Sequence, residues 1–201
     1  MQTTGREGSA LKSPGAWACF LAIAIAGAGL DLWSKNLAHQ AFLEYQVTHG
    51  PRSSDTIIAT YHFLNISWAE NKGAVLGVGQ GRTGLFIAFT FLAIALLVWL
   101  FADSRRHHVA LHVFLACVVS GAVGNLYDRI TFGHVRDFLQ LNFKADWATW
   151  SQGSGYVWPY VFNVADVFIS VGVGGLFLVW FTTLIRQRRS AAQQPADQKA
   201  T

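Results

Sequence analysis

The sequence predicts an all-α membrane protein, with four transmembrane helices and a small extracytoplasmic cradle rich in β-structure. Three observations predict it. Only 13% of the 201 residues are charged, while 52% are hydrophobic. Four stretches, Ser13–Leu30, Thr83–Ala102, His107–Tyr127 and Val167–Ile185, contain no Asp, Glu, Lys or Arg. A long segment between the first two of them carries Tyr, Phe, Ile and Trp in strand-like runs. A helix rises ~1.5 Å per residue, so each charge-free stretch is long enough to cross a hydrocarbon core of ~30 Å. The helices of a soluble domain keep a polar face, and these runs have none.

Taken in order, residues 1–14 form a polar arm, 15–189 a membrane domain and 190–201 a polar tail. The arm and the tail are expected to be poorly ordered. Spans are expected at about 15–33, 83–102, 107–130 and 163–185. The first ends near Leu32 and is followed by an outer segment, Ser34–Arg82. Ala59–Trp68 reads as strand, and so does Ala74–Val78, which runs into the turn-forming Gly-Gln-Gly at 79–81. A second outer segment, Thr131–Pro159, holds Trp147, Trp150, Tyr156 and Trp158. These suit an aromatic belt at headgroup depth or a lid over a substrate. No internal repeat or inverted symmetry points to a transporter.

Charge sets the orientation. Arg105 and Arg106 lie in the short connection between spans two and three; Arg186, Arg188 and Arg189 follow span four; the arm carries Arg6 and Lys12. By the excess of cations on cytoplasmic segments, both termini are expected inside. The formal charge of +4 then suits anionic phospholipid headgroups. No basic face with interleaved aromatics suggests nucleic acid. Cys19 and Cys117 fall within spans and read as small apolar packing residues. The apolar run follows Cys19 where a lipoprotein precursor would need it to precede, so the chain does not read as one.

The polar groups embedded at the span ends carry the chemistry. Asp31 and Lys35 end span one, Asn125, Asp128 and Arg129 end span three, and Asn163 and Asp166 begin span four. With both termini inside, all lie at the outer face. Charge there is costly and faces a bundle interior or a wet cavity. Asp31 and Lys35 are i,i+4 and can pair; Asn125, Asp128 and Arg129 form one stripe. Gly121 and Gly124 let a neighbouring helix approach closely. Ion pairs that merely close the bundle, Asp31 with Lys35 and Asp128 with Arg129, would also account for these positions.

Asp137 and Asp166 differ, because neither has an opposite charge at i±3 or i±4, although Arg136 adjoins Asp137. Two carboxylates in a partly dry site share a proton and split their titrations. One can then act as a general base on water while the other polarises a peptide carbonyl. This chemistry needs neither a metal nor a cofactor. Activity is expected to fall once acid protonates both. Placement alone nominates this pair among the membrane-edge aspartates without singling it out.

Four ordered blocks complete the pattern: Asp31-Leu-Trp-Ser-Lys35; Asn71-Lys-Gly73-Ala74; GAVGNLYDR at 121–129 with GHVRDF at 133–138; and FNVAD at 162–166. In these, from about residue 16 to 186, the chain resembles the lipoprotein signal peptidase (signal peptidase II) family of intramembrane aspartic proteases. The resemblance implies that Asp137 and Asp166 are the catalytic aspartates. It also implies that Asn71, Gly73, Asn125, Arg129 and Asn163 line the site, and that Asp31, Lys35 and Asp128 maintain it. The implied substrate is a bacterial prolipoprotein bearing diacylglycerol on its lipobox Cys, cut just before that Cys, and the implied inhibitor is globomycin. Two features depart from the family: Val75-Leu76 where Ala-Phe is common, and longer outer segments at Glu44–His62 and Phe143–Trp158.

Rival chemistries find less support. There is no HExxH and no GxSxG. His108 and His112 are i,i+4 beside Arg105 and Arg106 and read as packed or headgroup-facing. The glycines at 172–175 lie mid-span and read as helix packing. A proton-coupled carrier or binding scaffold is the alternative function, but a carrier should bring charge to the midplane, and these span centres are uncharged.

Overall fold

The computed structural model of the chain describes residues 8–52, 56–73, 82–145 and 155–192. Four helices carry the fold: α1 (Pro14–His49), α2 (Thr83–Asp103), α3 (Val109–Phe132) and α4 (Val164–Ala192). Each is long and apolar enough to cross a membrane. Four strands, β1 (Thr56–Thr60), β2 (Leu64–Asn71), β3 (Val135–Leu141) and β4 (Val161–Phe162), form one antiparallel sheet in the order β1-β2-β3-β4.

Helix α3 is the centre of the bundle, packing against α1, α2 and α4. Its small residues make that possible. A Cβ on Gly121 would collide with the Ala165 carbonyl oxygen, and one on Gly124 would collide with Asp31 Oδ2. The first glycine brings the start of α4 onto α3, and the second admits a carboxylate of α1. Helix α2 is different. Phe101 is its one buried residue, and Phe89, Leu92 and Trp99 are each more than half exposed. A patch of that size would not be tolerated against water, so its partner is lipid. Among the described residues α2 packs on α3 and on the turn at Ala10–Lys12, with no comparable contact to α4.

Helix α1 runs on past the span end expected near Leu32. It begins at Pro14, with Ser13 Oγ accepting from the Ala16 N–H, and continues for 36 residues to His49. At ~1.5 Å per residue that is ~54 Å, well beyond a hydrocarbon core. The continuation is held by tertiary contact: Ala38 and Phe42 pack against Trp68 of β2 and Phe138 of β3, with Phe42 stacked on Trp68 at 5.2 Å. The chain turns away at Gly50, whose φ of +82° suits glycine. The strand expected at Ala59–Trp68 is a hairpin, β1 and β2, and β3 has no counterpart in the expectation. Ala74–Val78, the turn at 79–81, Trp147 and Trp150 lie outside the described residues.

Residues 8–14 of the arm, too, are more structured than expected. Ala10 is fully buried against Phe20, Phe101 and Leu115, and its N–H donates to the Ser104 carbonyl. Ser9 Oγ donates to the Ala102 carbonyl. Helix α4 likewise runs on into the expected tail. His112 is a packed histidine, buried with Nε2 2.7 Å from Ser104 Oγ and an edge contact to Phe101.

Candidate active site

The site forms where the sheet meets α1, α3 and α4. Gly133 ends α3 in the left-handed conformation (φ +77°), its N–H bonded to the Arg129 carbonyl, so the chain enters β3 two residues later. Side chains then alternate across the strand. Val135, Asp137 and Leu141 line a cavity of about 1420 Å³, whereas Arg136 reaches Asn36 of α1 and Phe138 packs on the α1 side. Opposite Asp137 the register slips: Ile66 pairs with Leu139 but Ala69 pairs with Asp137, one extra residue in β2. Such a bulge bends the strand and re-aims its side chains, here turning Asn71 toward Asp137.

Asp166 is placed by a reciprocal cap. Asn163 precedes the first residue of α4; its Oδ1 accepts from the Asp166 N–H at 3.1 Å, while Asp166 Oδ2 accepts from the Asn163 N–H at 3.1 Å. Asn125 Nδ2 donates to Asp166 Oδ1 at 3.0 Å. The Asn163 side-chain amide donates to Asp137 Oδ1 at 2.5 Å and to Asn125 Oδ1 at 3.1 Å. Asn71 Nδ2 donates to Asp137 Oδ2 at 3.1 Å and Asn71 Oδ1 accepts from the Gly73 N–H at 3.1 Å. One fully buried amide therefore spaces two carboxyls that come from different elements.

Behind them lies a dry charge cluster. Lys35 Nζ lies 2.7 Å from Asp31 Oδ2 and 3.3 Å from Asp128 Oδ2, with all three side chains fully buried, and it donates to Asn125 Oδ1 at 2.9 Å. Asp31 Oδ1 accepts from the Ala165 N–H at 2.8 Å, within the first turn of α4, where a carboxylate complements the helix dipole. Asp128 does not pair with Arg129, contrary to the ion pair considered above. Consecutive helical residues diverge: Asp128 turns to Lys35 and Arg136, and Arg129 turns to the cavity. There Arg129 Nη2 donates to the Gly73 carbonyl at 3.3 Å, and its guanidinium stands 5.2 Å from the centre of the Phe86 ring.

The residues singled out from the sequence thus all meet at one end of the bundle. Sequence reasoning misses Arg136 and Asn36 as members of this network. The alternation of Val135-Arg136-Asp137 could have placed Arg136 behind the strand, but the partner waiting there depends on α1 continuing past residue 33.

Burial, and after it the negative charge of Asp166, pushes the Asp137 carboxyl up to about 7; the amides of Asn71 and Asn163 and the Lys35 charge oppose this. A carboxyl poised near neutrality beside a second carboxyl can hold and release a proton. The cavity above the pair is walled by Phe86, Phe89 and Leu97 of α2 and by Val167, Ile169 and Val171 of α4. Among the described residues these two helices make no close packing on each other, and the cavity lies between them.

The chain is similar to known proteins along most of its length. A family model described as signal peptidase (SPase) II matches residues 23–182. The lipoprotein signal peptidase of Rhodopirellula baltica is 35% identical over 173 residues, covering 84% of this chain and 74% of that one. That of Syntrophotalea carbinolica is 37% identical over 130 residues, covering 63% and 74%. Among solved structures, a bacterial membrane enzyme determined by the in meso method at 2.3 Å resolution superposes with a TM-score of 0.61 at 26% identity, covering 81% of this chain and 87% of that one. A second, at 1.9 Å resolution, gives a TM-score of 0.59 at 25% identity over 80% and 91%. Matched along most of its length by that model and by relatives of the same name, this multi-pass membrane protein belongs to the signal peptidase II family of aspartic proteases.

Proposed function

We propose that this chain removes the signal peptide from diacylglyceryl-modified bacterial prolipoproteins, cutting just before the lipid-bearing Cys, with water activated between Asp137 and Asp166. The observation that carries the proposal is the pair of carboxyls bridged through Asn163 at the head of a cavity walled by apolar residues of α2 and α4. A signal peptide and an acylated Cys are both apolar, and such a cavity accepts them without leaving the membrane.

The division of labour follows from the surroundings. Asp137, pushed up to about 7, still holds its proton in part near neutral pH, and its protonated form directs that proton to the scissile carbonyl oxygen. The Asp166 carboxylate takes a proton from water, whose oxygen attacks the carbonyl carbon. The proton held on Asp166 then passes to the departing amide nitrogen, the C–N bond breaks, and the excess proton returns to Asp137. Asn71, Asn125 and Asn163 commit their amide hydrogens to the two carboxyls and so fix their orientation. Arg129, tied to the Gly73 carbonyl, braces the β2 end of the cavity.

In this reading the protein resides in the cytoplasmic membrane with both termini inside and the site near the outer face. The arginines at 105, 106, 186, 188 and 189 lie at the opposite end from the carboxyls and face anionic phospholipid. Globomycin-type cyclic peptides are expected to occupy the same cavity.

Purified protein should convert a prolipoprotein carrying diacylglycerol to its mature form on a gel, and leave the unmodified precursor uncut. Equal cleavage of both, or of neither, would sink the assignment. In the same assay the alkaline limb of kcat should have its midpoint within about a unit of pH 7, where Asp137 gives up its proton. A rate that is flat from pH 6 to 9 would contradict the assigned roles.

A further inference from the structure

We propose that Arg136 is a positioning residue for Asp137, clamping β3 onto α3 and α1 and neutralising the charge buried behind the carboxyl pair. The proposal rests on the peptidase reading above. Arg136 is 3% exposed, although it neighbours Asp137 in the strand and its side chain lies on the opposite face. Its Nε and Nη2 donate to Asp128 Oδ1 at 3.1 and 2.8 Å, and its backbone N–H donates to Asp128 Oδ2 at 2.9 Å. Nη1 donates to Asn36 Oδ1 at 2.8 Å, and the guanidinium lies 4.4 Å from the centre of the Phe132 ring. Contacts from both its side chain and its backbone thus fix the residue next to Asp137 against two helices. A planar guanidinium makes such a forked set of bonds and an ammonium does not.

Charge gives the clamp a second role. Asp31 and Asp128 are balanced by Lys35 and Arg136, so the buried cluster is neutral only with Arg136 in place. Lys35 is shared: it pairs with both aspartates and holds Asn125 Oδ1, the amide whose other end holds Asp166. Without Arg136, Asp128 would draw on Lys35 alone, and a net negative charge would sit behind the pair. The charged groups that bear on Asp137 are Asp166 from α4, Lys35 from α1 and Arg129 from α3, and the cavity is also lined by Glu70 of β2 and by Lys72, which pair at 3.9 Å. Weakening the Lys35 contribution among these makes Asp137 hold its proton to higher pH.

The test is the pH profile of cleavage by purified Arg136→Met, Arg136→Lys and Asp128→Asn/Arg136→Met proteins on a diacylglyceryl-modified prolipoprotein. Arg136→Met should lower kcat by ~10- to 100-fold, the scale set by a misplacement of about 1 Å, with little change in KM. Its alkaline limb should move up by at least ~0.5 pH unit. Arg136→Lys keeps the charge but loses the fork, so its limb should stay in place while kcat remains below wild type. The double variant is again neutral, and its limb should return to the wild-type position. Wild-type kcat in Arg136→Lys or Arg136→Met, or one limb position shared by all variants, overturns the proposal. If Arg136→Met does not fold, the kcat of Arg136→Lys decides it: a wild-type value there overturns the proposal. If the wild-type protein itself cleaves no lipid-modified precursor, the peptidase reading fails instead.

Discussion

Asp137→Asn and Asp166→Asn each reduce signal-peptide cleavage by roughly 10³-fold or more, since each removes one of the two proton-transfer groups. The two variants differ in stability, and that difference makes the prediction specific. Asp137 titrates from about 3.8 in the unfolded chain to about 7 in the folded one. A carboxyl whose folded value is raised costs stability when ionised. The cost is absent below pH 4, grows between pH 4 and 7 and is complete above, reaching roughly 4 kcal/mol at most. The Asp137→Asn protein has no carboxyl there to ionise and escapes this cost. It introduces another, because both Asp137 oxygens accept from amides, and an asparagine must turn its own NH₂ toward one of those donors, at about 1–3 kcal/mol. The melting temperature of Asp137→Asn relative to wild type should therefore rise as pH goes from 4 to 8. A difference independent of pH would refute the raised titration of Asp137, and wild-type turnover in either variant would refute the dyad.

Lys35→Met has the largest expected effect on folding. The ammonium touches two fully buried carboxylates and the Asn125 amide, and a methionine supplies neither charge nor donor in its place. Removing one member of a buried ion pair leaves an uncompensated charge and costs ~3–5 kcal/mol. Asp31 would keep the Ala165 N–H and Asp128 would keep Arg136, so the loss belongs at the lower end of that range. Unfolding in detergent followed by tryptophan fluorescence measures it. A loss under ~1 kcal/mol would mean that Asp31 and Asp128 are held without Lys35.

How much of this could be read in the sequence depends on the range of the interaction. Charge-free runs locate the helices, because crossing a bilayer is a constraint on composition. Helical spacing likewise predicts that Asp31 and Lys35 pair, and they do at 2.7 Å. The end of α1 is not legible in this way. Residues 33–49 are polar enough to read as loop, and they are helical because Phe42 and Ala38 find Trp68 and Phe138, partners up to 100 residues distant. Strand β3 is hidden for a related reason. It is buried on both faces, so the polar and apolar residues of VRDFLQL do not alternate as on a half-exposed strand. Pairing Asp128 with Arg129 fails because adjacency in sequence says nothing about which way two helical side chains point. Placing Asp128 with Arg136 requires knowing that the left-handed turn at Gly133 folds β3 back along α3.

The unbroken length of α1 bears on how the site is kept in register. The same rod carries Lys35 inside the bundle and, two turns further on, Phe42 under the sheet that bears Asp137. No hinge separates them. When the helix tilts to suit a thinner or thicker bilayer, both swing together, and their separation is set by helix geometry alone. Asp166 arrives on another helix, and it is referred to the same rod by the hydrogen bond from the Ala165 amide to Asp31. In surveying terms α1 is the datum line: both carboxyls are measured from it, and the lipid moves the line without moving the marks.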